Sequence, residues 1–393
     1  MNLLMTAYHG TGFGGAERSL LTTAEGLKKR GHDVIIASTA EYGGIETAKF
    51  GKYPLPLPYF QRFYLKNFLV REGRKHGIEL IHAQDRLTSI GAVLAANELG
   101  IPAAVHFRDY WFCCTRSTCL RQEGGGYANC EKCTPENLRR CVPWHRQWWE
   151  QHKLAETRKN IPLLDSAQAK IAISGAVKNK MLANGFTGDI KVVPNPVDVE
   201  MFGPHAGGKE KQKNKTIAFI GRLSYEKGIL QLMEIMERVL AERGDVSFLV
   251  AGDGPMRAEL ENFVQAKKLQ GRVHISGRVD FRGLPAIYAN SDIVLFPSQW
   301  EEPFGRVAIE AGACGTPVVA SRAGGIADTI VDGKTGRLVP PHATEEWVTD
   351  IGELLDNDSK REKMGEAAMK FVRENFATGI VVRRLEKIYG GVL

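Results

Sequence analysis

The sequence predicts an α/β protein of two doubly wound domains facing a cleft. Short apolar runs alternate with helical stretches along the whole chain, the pattern of buried parallel strands joined by crossover helices. The alternation stops at residues 201–215, a polar, glycine-containing, lysine-rich stretch that reads as an exposed linker, and then starts afresh. At 393 residues the chain also exceeds what one ordinary core supports. The expected divisions are 1–198, 199–375 and a final helical segment, 376–393.

Residues 3–8 form the first expected strand. A loop follows, His9-Gly10-Thr11-Gly12-Phe13-Gly14-Gly15, and then a helix over 16–29 that Gly31 ends. The next strand is 33–38. Gly10, Gly12, Gly14 and Gly15 do not fit G-x-G-x-x-G, so a dinucleotide cofactor is not indicated. The glycines still let backbone approach a phosphate or a sugar closely. Further strands are expected at 80–83, 103–106 and 169–174 in the first half. In the second half they are expected at 216–221, 246–251, 273–276, 293–296 and 317–320.

The strand at 293–296 leads into Trp300-Glu301-Glu302-Pro303-Phe304-Gly305-Arg306-Val307-Ala308-Ile309-Glu310-Ala311. Glu302 stands in the loop after the strand. Glu310 stands in the second turn of the following helix, which Gly312 and Gly315 close. Ligands of open α/β sheets bind at this edge. The helix start there offers unpaired N–H groups and a positive dipole end, suited to an anion.

Eight positions separate the two carboxylates, and the arrangement resembles the Glu-x7-Glu signature of the family-4 retaining glycosyltransferases, which have the GT-B fold of two Rossmann-like domains. The resemblance extends over nearly the whole chain. Gly14-Gly15-Ala16-Glu17 resembles the family's first loop, whose glycines approach the donor. Ile220-Gly221-Arg222-Leu223-Ser224-Tyr225-Glu226-Lys227-Gly228 is similar to its Gly-Arg-Leu-x-x-x-Lys-Gly motif. Ala251-Gly252-Asp253-Gly254-Pro255 resembles its loop after a second-domain strand, and Pro194-Asn195-Pro196-Val197-Asp198 resembles its interdomain turn, with Pro196 in place of the usual glycine. The resemblance implies that Arg222 and Lys227 bind the donor diphosphate. It implies that Arg278 and Val279 flank the nucleobase and that Glu310 holds the ribose. By the same resemblance Glu302 faces the transferred sugar, with the N–H groups of Phe304, Gly305 and Arg306 on its hydroxyls and the phosphate. Arg306 stands where many relatives carry an apolar residue; it reads a donor group or reaches solvent. His106, in Ala103-Ala104-Val105-His106-Phe107-Arg108-Asp109, looks like the family's strand-end histidine, here with Phe107 and Arg108 stretching the segment. Sugar positioning or proton relay would be its role. The last helix would cross back to the first domain.

The implied activity is retaining transfer of a sugar, of hexosyltransferase type. The donor would be UDP- or GDP-linked and the acceptor a glycan or a lipid-linked glycan, in bacterial cell-surface polysaccharide or lipopolysaccharide synthesis. Two other readings fit the same fold: a sugar-nucleotide epimerase and a non-catalytic nucleotide-sugar-binding protein. No Asp-x-Asp flanked by apolar strand residues appears, so the expected catalysis is metal-independent, with Arg222 and Lys227 stabilising the charge that develops on the leaving phosphate.

Charge is unevenly placed. Residues 1–200 carry 26 Lys and Arg against 19 Asp and Glu, a net of +7, and residues 201–393 carry 26 against 26. A basic first domain suits an anionic partner, either a phospholipid surface or a pyrophosphate-linked acceptor. The excess is modest and no nucleic-acid motif accompanies it, so nucleic acid is not an expected partner. No apolar run reaches bilayer length. Met1-Asn2-Leu3-Leu4-Met5 leads straight into a strand, without a signal-peptide pattern. The expected location is cytoplasmic, at the inner face of the plasma membrane if the acceptor is lipid-linked. Residues 59–75 carry Tyr59, Phe60, Phe63, Tyr64 and Phe68 with Arg62, Lys66, Arg71, Arg74 and Lys75. They read as a basic amphipathic helix on an anionic membrane, or as a core helix with a solvated face. Trp144, Trp148 and Trp149 would stack on sugar rings or fill core.

Six of the seven cysteines, Cys113, Cys114, Cys119, Cys130, Cys133 and Cys141, fall within 113–141. Cys130-Glu131-Lys132-Cys133 is a C-x2-C knuckle. A structural Zn²⁺ held by Cys130, Cys133, Cys141 and one of Cys114 or Cys119 is the expectation, with His145 a replacement ligand. An iron–sulfur cluster and unliganded thiols are the alternatives. Disulfides are disfavoured in a cytoplasmic chain.

Overall fold

The computed structural model describes residues 1–10, 14–51, 58–123, 126–204 and 214–393. Thr11–Phe13 of the glycine-rich loop and residues 205–213 of the expected linker lie outside them, as do the side chains of Tyr59 and Phe60. The chain divides into two compact units. Unit 1 is Met1–Pro196 with Thr378–Leu393, and unit 2 is Val197–Ala377.

Unit 1 contains β1 (Asn2–Thr6), β2 (Asp33–Ser38), β3 (Glu46–Lys49), β4 (Leu80–Ala83) and β5 (Ala103–Phe107). A separate hairpin, β6 (Leu120–Glu123) and β7 (Gly126–Asn129), precedes β8 (Ala169–Ala172) and β9 (Ile190–Val192). Among the described residues the unit 1 sheet runs β3-β2-β1-β4-β5-β8-β9, every neighbour parallel. Unit 2 contains β10 (Lys215–Ile220), β11 (Val246–Ala251), β12 (Val273–Gly277), β13 (Ile293–Phe296), β14 (Val318–Ser321) and β15 (Gly336–Val339). Its sheet runs β12-β11-β10-β13-β14-β15, again all parallel. Both are doubly wound α/β sheets, as the apolar runs predict. The central strands β1, β4, β5, β10 and β13 are buried almost throughout because helices cover both faces.

Periodicity does not reveal β3, β9 and β15, each at a sheet edge, nor the separate hairpin β6–β7. Glu-Thr-Ala-Lys in β3 is polar and partly exposed, and β9 has three residues, two of them exposed. Short, charged edges limit strand pairing with other chains, and the same traits erase the hydrophobic signal. Parallel strands send their C-terminal ends to one edge of each sheet. Unit 1 places His9, Asp85 and Arg108 there, and unit 2 places Arg222, Arg278 and the 297–305 loop.

Of the final helices, Asp358–Asn375 belongs to unit 2 and Thr378–Gly390 to unit 1. Helix Thr378–Gly390 packs in unit 1 on helix Gly15–Lys29. A Cβ on Gly26 would stand 2.7 Å from Thr378 Cγ2 and 2.8 Å from Val382 Cγ2, so glycine allows this approach. Glu386 then accepts from Arg30 Nε at 2.7 Å and pairs with His32 Nε2 at 2.9 Å. The Tyr389 hydroxyl meets His82 Nδ1 at 2.7 Å in the core.

The helix expected over 59–75 spans Pro58–His76. Its five cations are all paired with carboxylates of unit 1: Arg62 with Glu156, Lys66 and Arg74 with Glu98, and Arg71 and Lys75 with Glu72. Leu65 and Leu69 are fully buried, while Phe63 and Tyr64 are exposed. The five cations share three carboxylates, so the face keeps a basic excess while the apolar side packs in unit 1, as in the second of its two readings.

Candidate functional site

In unit 2, β13 ends at Phe296, and the chain loops through Pro297, Ser298 and Glu302 to Gly305 before helix Arg306–Ala313. The loop is tied down by the Gly325 N–H, which donates to the Glu302 carbonyl at 2.6 Å. The Glu302 side chain is nearly buried. Its Oε1 accepts from Lys227 Nζ at 2.6 Å and its Oε2 from the Ser298 hydroxyl at 3.0 Å. Lys227 ends the short turn Tyr225–Lys227 after β10. Its ammonium lies 5.4 Å from the Trp300 ring centre and 5.8 Å from that of Phe296. Gly228, with φ +79°, lets this turn pass under β13: a Cβ there would stand 1.8 Å from the Pro297 carbonyl oxygen. Gly228→Ala is therefore expected to lower stability by roughly 2–3 kcal/mol and to displace Lys227. Thermal melting checks it, and an unshifted curve would show that the turn does not depend on this contact.

The Glu310 carboxylate is buried one helical turn beyond Arg306. Its Oε1 accepts from Arg306 Nε at 3.1 Å and from the second guanidinium nitrogen at 2.8 Å, and its Oε2 accepts from the Tyr288 hydroxyl at 3.0 Å. Burial, with Glu310 beside it, holds the Tyr288 hydroxyl well above its ordinary pKa. The same two causes push the Cys314 thiol up to about 12. Arg306 therefore turns back along its own helix to Glu310. Gly305 caps that helix with φ +126°, and Phe304 is buried beside it. Arg222 follows β10, is exposed, and has no side-chain partner among the described residues. Arg278 is exposed after β12 and Val279 is half-buried. The arrangement thus couples Glu302 to Lys227 and Glu310 to Arg306. Ser298 and Tyr288 complete it, and sequence reasoning missed both. The serine follows the strand end, where a polar residue was a readable signal; the tyrosine is 22 residues before its partner and left none.

At the unit 1 edge, Gly14 and Gly15 are exposed at the start of helix Gly15–Lys29. Glu17, in its first turn, has its carboxyl raised by burial. Asp85 caps helix Arg86–Leu99 through the N–H groups of Leu87 and Thr88 and also accepts from the Tyr8 N–H at 2.7 Å. Arg108 is buried; its Nε donates to Gln84 Oε1 at 2.6 Å and its guanidinium also bonds Asn195 Oδ1. Asp109 is pushed up to about 6 by burial, against the pull of the Trp111 N–H and the Ser117 hydroxyl. His106 departs from expectation. Its ring is 1 % exposed, Nε2 lies 3.1 Å from the Val193 carbonyl, and it stacks on His82 at 5.6 Å. Burial first, then Arg108 and His82, hold it well below its ordinary pKa, and His82 falls to about 3. The expected sugar-facing imidazole is instead a packed, neutral core histidine, and Arg108 is the larger charged group at this strand end.

Residues 13–201 match the sequence profile of Glycosyltransferase Family 4, and residues 205–371 match that of Glycosyl transferases group 1. The chain belongs to this glycosyltransferase family. A D-inositol 3-phosphate glycosyltransferase of Corynebacterium diphtheriae is 33 % identical over 216 residues, covering 51 % of this chain and 50 % of the relative, so the chain matches about half that relative's length. An uncharacterized glycosyltransferase of Methanocaldococcus jannaschii is 26 % identical over 93 % of this chain and 91 % of its own. Among solved structures, Anabaena HepE in complex with UDP-glucose superimposes with a TM-score of 0.75 at 22 % identity, covering 100 % of both chains. A glycosyltransferase from Rickettsia africae gives 0.76 at 21 % identity, covering 100 % of this chain and 98 % of its own. These likenesses establish the GT-B fold.

This family member also carries the cysteine-rich segment between β5 and helix Trp144–Lys159. Cys113, Cys114, Cys119, Cys130 and Cys133 are buried and Cys141 is half-buried. Cys113 and Cys119 sulfurs are 3.7 Å apart. The Cys130 and Cys133 sulfurs both lie near those of Cys114 and Cys141; burial first and these neighbours next push them up to about 12 and about 11. Among the described residues no three His, Cys, Asp or Glu side chains are set to hold a metal ion as they stand. No described helix is long and apolar enough to cross a membrane.

Proposed function

We propose that the protein is a retaining glycosyltransferase that moves a hexose from a UDP- or GDP-linked donor to a hydroxyl of a glycan or lipid-linked glycan, in cell-surface polysaccharide or lipopolysaccharide assembly. The observation that carries this reading is the Glu302–Lys227 pair at the end of β13, with Arg222 exposed and without a side-chain partner among the described residues at the end of the adjacent strand β10. The donor's anomeric carbon–oxygen bond breaks and its electron pair goes to the leaving phosphate. Arg222, the remaining N–H bonds of Lys227 and the helix start at Gly305 stabilise that charge. Glu302 faces the sugar and favours the positive charge that develops at the anomeric carbon. The acceptor oxygen bonds on the face the phosphate leaves, and the acceptor proton passes to a phosphate oxygen. Glu310 holds the ribose through its remaining lone pairs, with Arg278 and Val279 at the base. The two cations Arg222 and Lys227, with the lack of an Asp-x-Asp strand motif, support turnover without a divalent ion. The net charge of +7 in residues 1–200 suits an acceptor that bears phosphate.

Purified protein incubated with a panel of UDP- and GDP-sugars in EDTA tests this reading. Expected are hydrolysis of one donor class, transfer when the acceptor is added, and an NMR spectrum showing the anomeric configuration kept. Dependence on added Mg²⁺ or Mn²⁺ overturns the cationic stabilisation. Release of an epimerised donor, or binding with no turnover, replaces transfer by the isomerase or the binding protein.

A further inference from the structure

We propose that the segment from Cys114 to Cys141 is a structural zinc module whose ligands are Cys114, Cys130, Cys133 and Cys141. The segment leaves the sheet after β5, forms the hairpin β6–β7 and helix Pro135–Cys141, and returns through helix Trp144–Lys159. Its own apolar cluster is Cys133, Leu138, Val142 and Leu154, with Cys141 against it. Cys114, Cys119, Leu120 and Cys130 are buried in the segment as well, so thiols make up most of the interior its described residues form, and small modules of this kind rely on a disulfide or a metal.

The backbone around the sulfurs is built like a metal knuckle. Ser117 and Cys119 sit at φ 59° and 52°, in the left-handed region that non-glycine residues rarely adopt. That turn aims the Cys119 N–H at Cys114 Sγ at 3.4 Å. Backbone N–H groups pointed at sulfur are the outer-shell bonds that steady a metal-bound thiolate. The Cys119 sulfur lies 3.7 Å from that of Cys113, whereas Cys114 is the neighbour that Cys130 and Cys133 share with Cys141, so Cys114 is assigned as the fourth ligand.

As they stand, Cys130 and Cys141 donate their S–H groups to the carbonyls of Cys119 and Leu120, each at 3.1 Å. These are contacts of the protonated thiols. Zinc binding requires both side chains to leave these carbonyls, and four Zn–S bonds of about 2.3 Å would set S···S separations of about 3.8 Å. Binding releases the four thiol protons to solvent and leaves a Zn(Cys)4 centre with two net negative charges. Cations already border it. Lys180, buried, donates to the Cys130 carbonyl at 3.3 Å, Arg158 to that of Cys133 at 2.6 Å, and Arg116 to that of Cys141 at 2.8 Å. The metal thereby joins the turn after β5, the hairpin and helix Pro135–Cys141.

The test is elemental analysis of the full chain, expressed with ample zinc and purified with reductant and no chelator. About one Zn²⁺ per chain is expected, released by a mercurial thiol reagent. Replacement by Co²⁺ should give the visible absorption of a tetrahedral thiolate site. Cys113→Ser and Cys119→Ser should keep the metal, whereas Cys114→Ser and Cys130→Ser should lose it. The wild-type measurement needs no variant to fold. A wild-type zinc content below about a tenth per chain, bound iron, or alkylation mapping that finds these cysteines in disulfides overturns the proposal. Retention of full zinc in a folded Cys114→Ser overturns the ligand assignment.

Discussion

Arg222→Ala should lower kcat by roughly 10²- to 10³-fold while changing stability by no more than about 0.5 kcal/mol. The side chain is exposed and has no partner among the described residues, so its removal breaks no contact of the folded protein. Whatever it contributes, it contributes to the ligand. A guanidinium facing a phosphate that gains charge binds more strongly in the transition state than before it, which places the loss in kcat. Lys227→Ala should lower turnover at least as much, but it is a less clean test. It also leaves the nearly buried Glu302 carboxylate without its ion pair at 2.6 Å, so melting temperature should fall as well. Steady-state kinetics and thermal melting on both variants separate the two cases. Near-normal turnover in Arg222→Ala with an unchanged melting curve would remove this residue from the diphosphate.

The central strands and the loop-helix junction at Glu302 were legible because a doubly covered parallel sheet writes its strands as continuous apolar runs. Strands β3 and β9 were not, because an edge strand is short and polar for reasons of its own. His106 was misread for the same reason that β5 was read correctly. In Ala-Ala-Val-His-Phe every position is buried, so a histidine inside that run belongs to the core whatever motif it resembles. The Arg306–Glu310 pair was readable in principle, since a cation four residues before a carboxylate on a helix shares its face. Glu302 and Lys227 are 75 residues apart, and Tyr288 and Glu310 are 22 apart. The motifs name these residues, but only the placement of β10 beside β13, and of the helix before β13 against the one after it, brings them together.

Glu302→Gln and Glu310→Gln should fail in different ways, because the two carboxylates have different partners. Glu302 shares its charge with Lys227 and Ser298. Glutamine keeps the shape and can still accept from the ammonium and bond the serine. What disappears is the negative charge, which matters most when the anomeric carbon becomes cationic in a site where low dielectric strengthens the interaction. A kcat loss of roughly 10²-fold or more is expected. Lys227 is at the same time freed from its counter-charge, so donor KM should stay level or fall, the pattern of a group that acts only in the transition state. Glu310 is held by Arg306 and Tyr288 before any ligand arrives. Its Gln variant loses a charged acceptor for ribose hydroxyls, worth about 1.5–3 kcal/mol, so donor KM should rise roughly tenfold to a hundredfold with kcat little changed. It also leaves the half-buried Arg306 guanidinium facing an amide, so its melting temperature should drop further than that of Glu302→Gln, whose lysine is the more exposed of the two cations. Kinetics with donor as the varied substrate, donor binding by calorimetry, and melting curves for both variants decide the matter. A donor KM raised equally in both, with kcat intact in Glu302→Gln, would place the two carboxylates in one binding role and remove Glu302 from the chemical step.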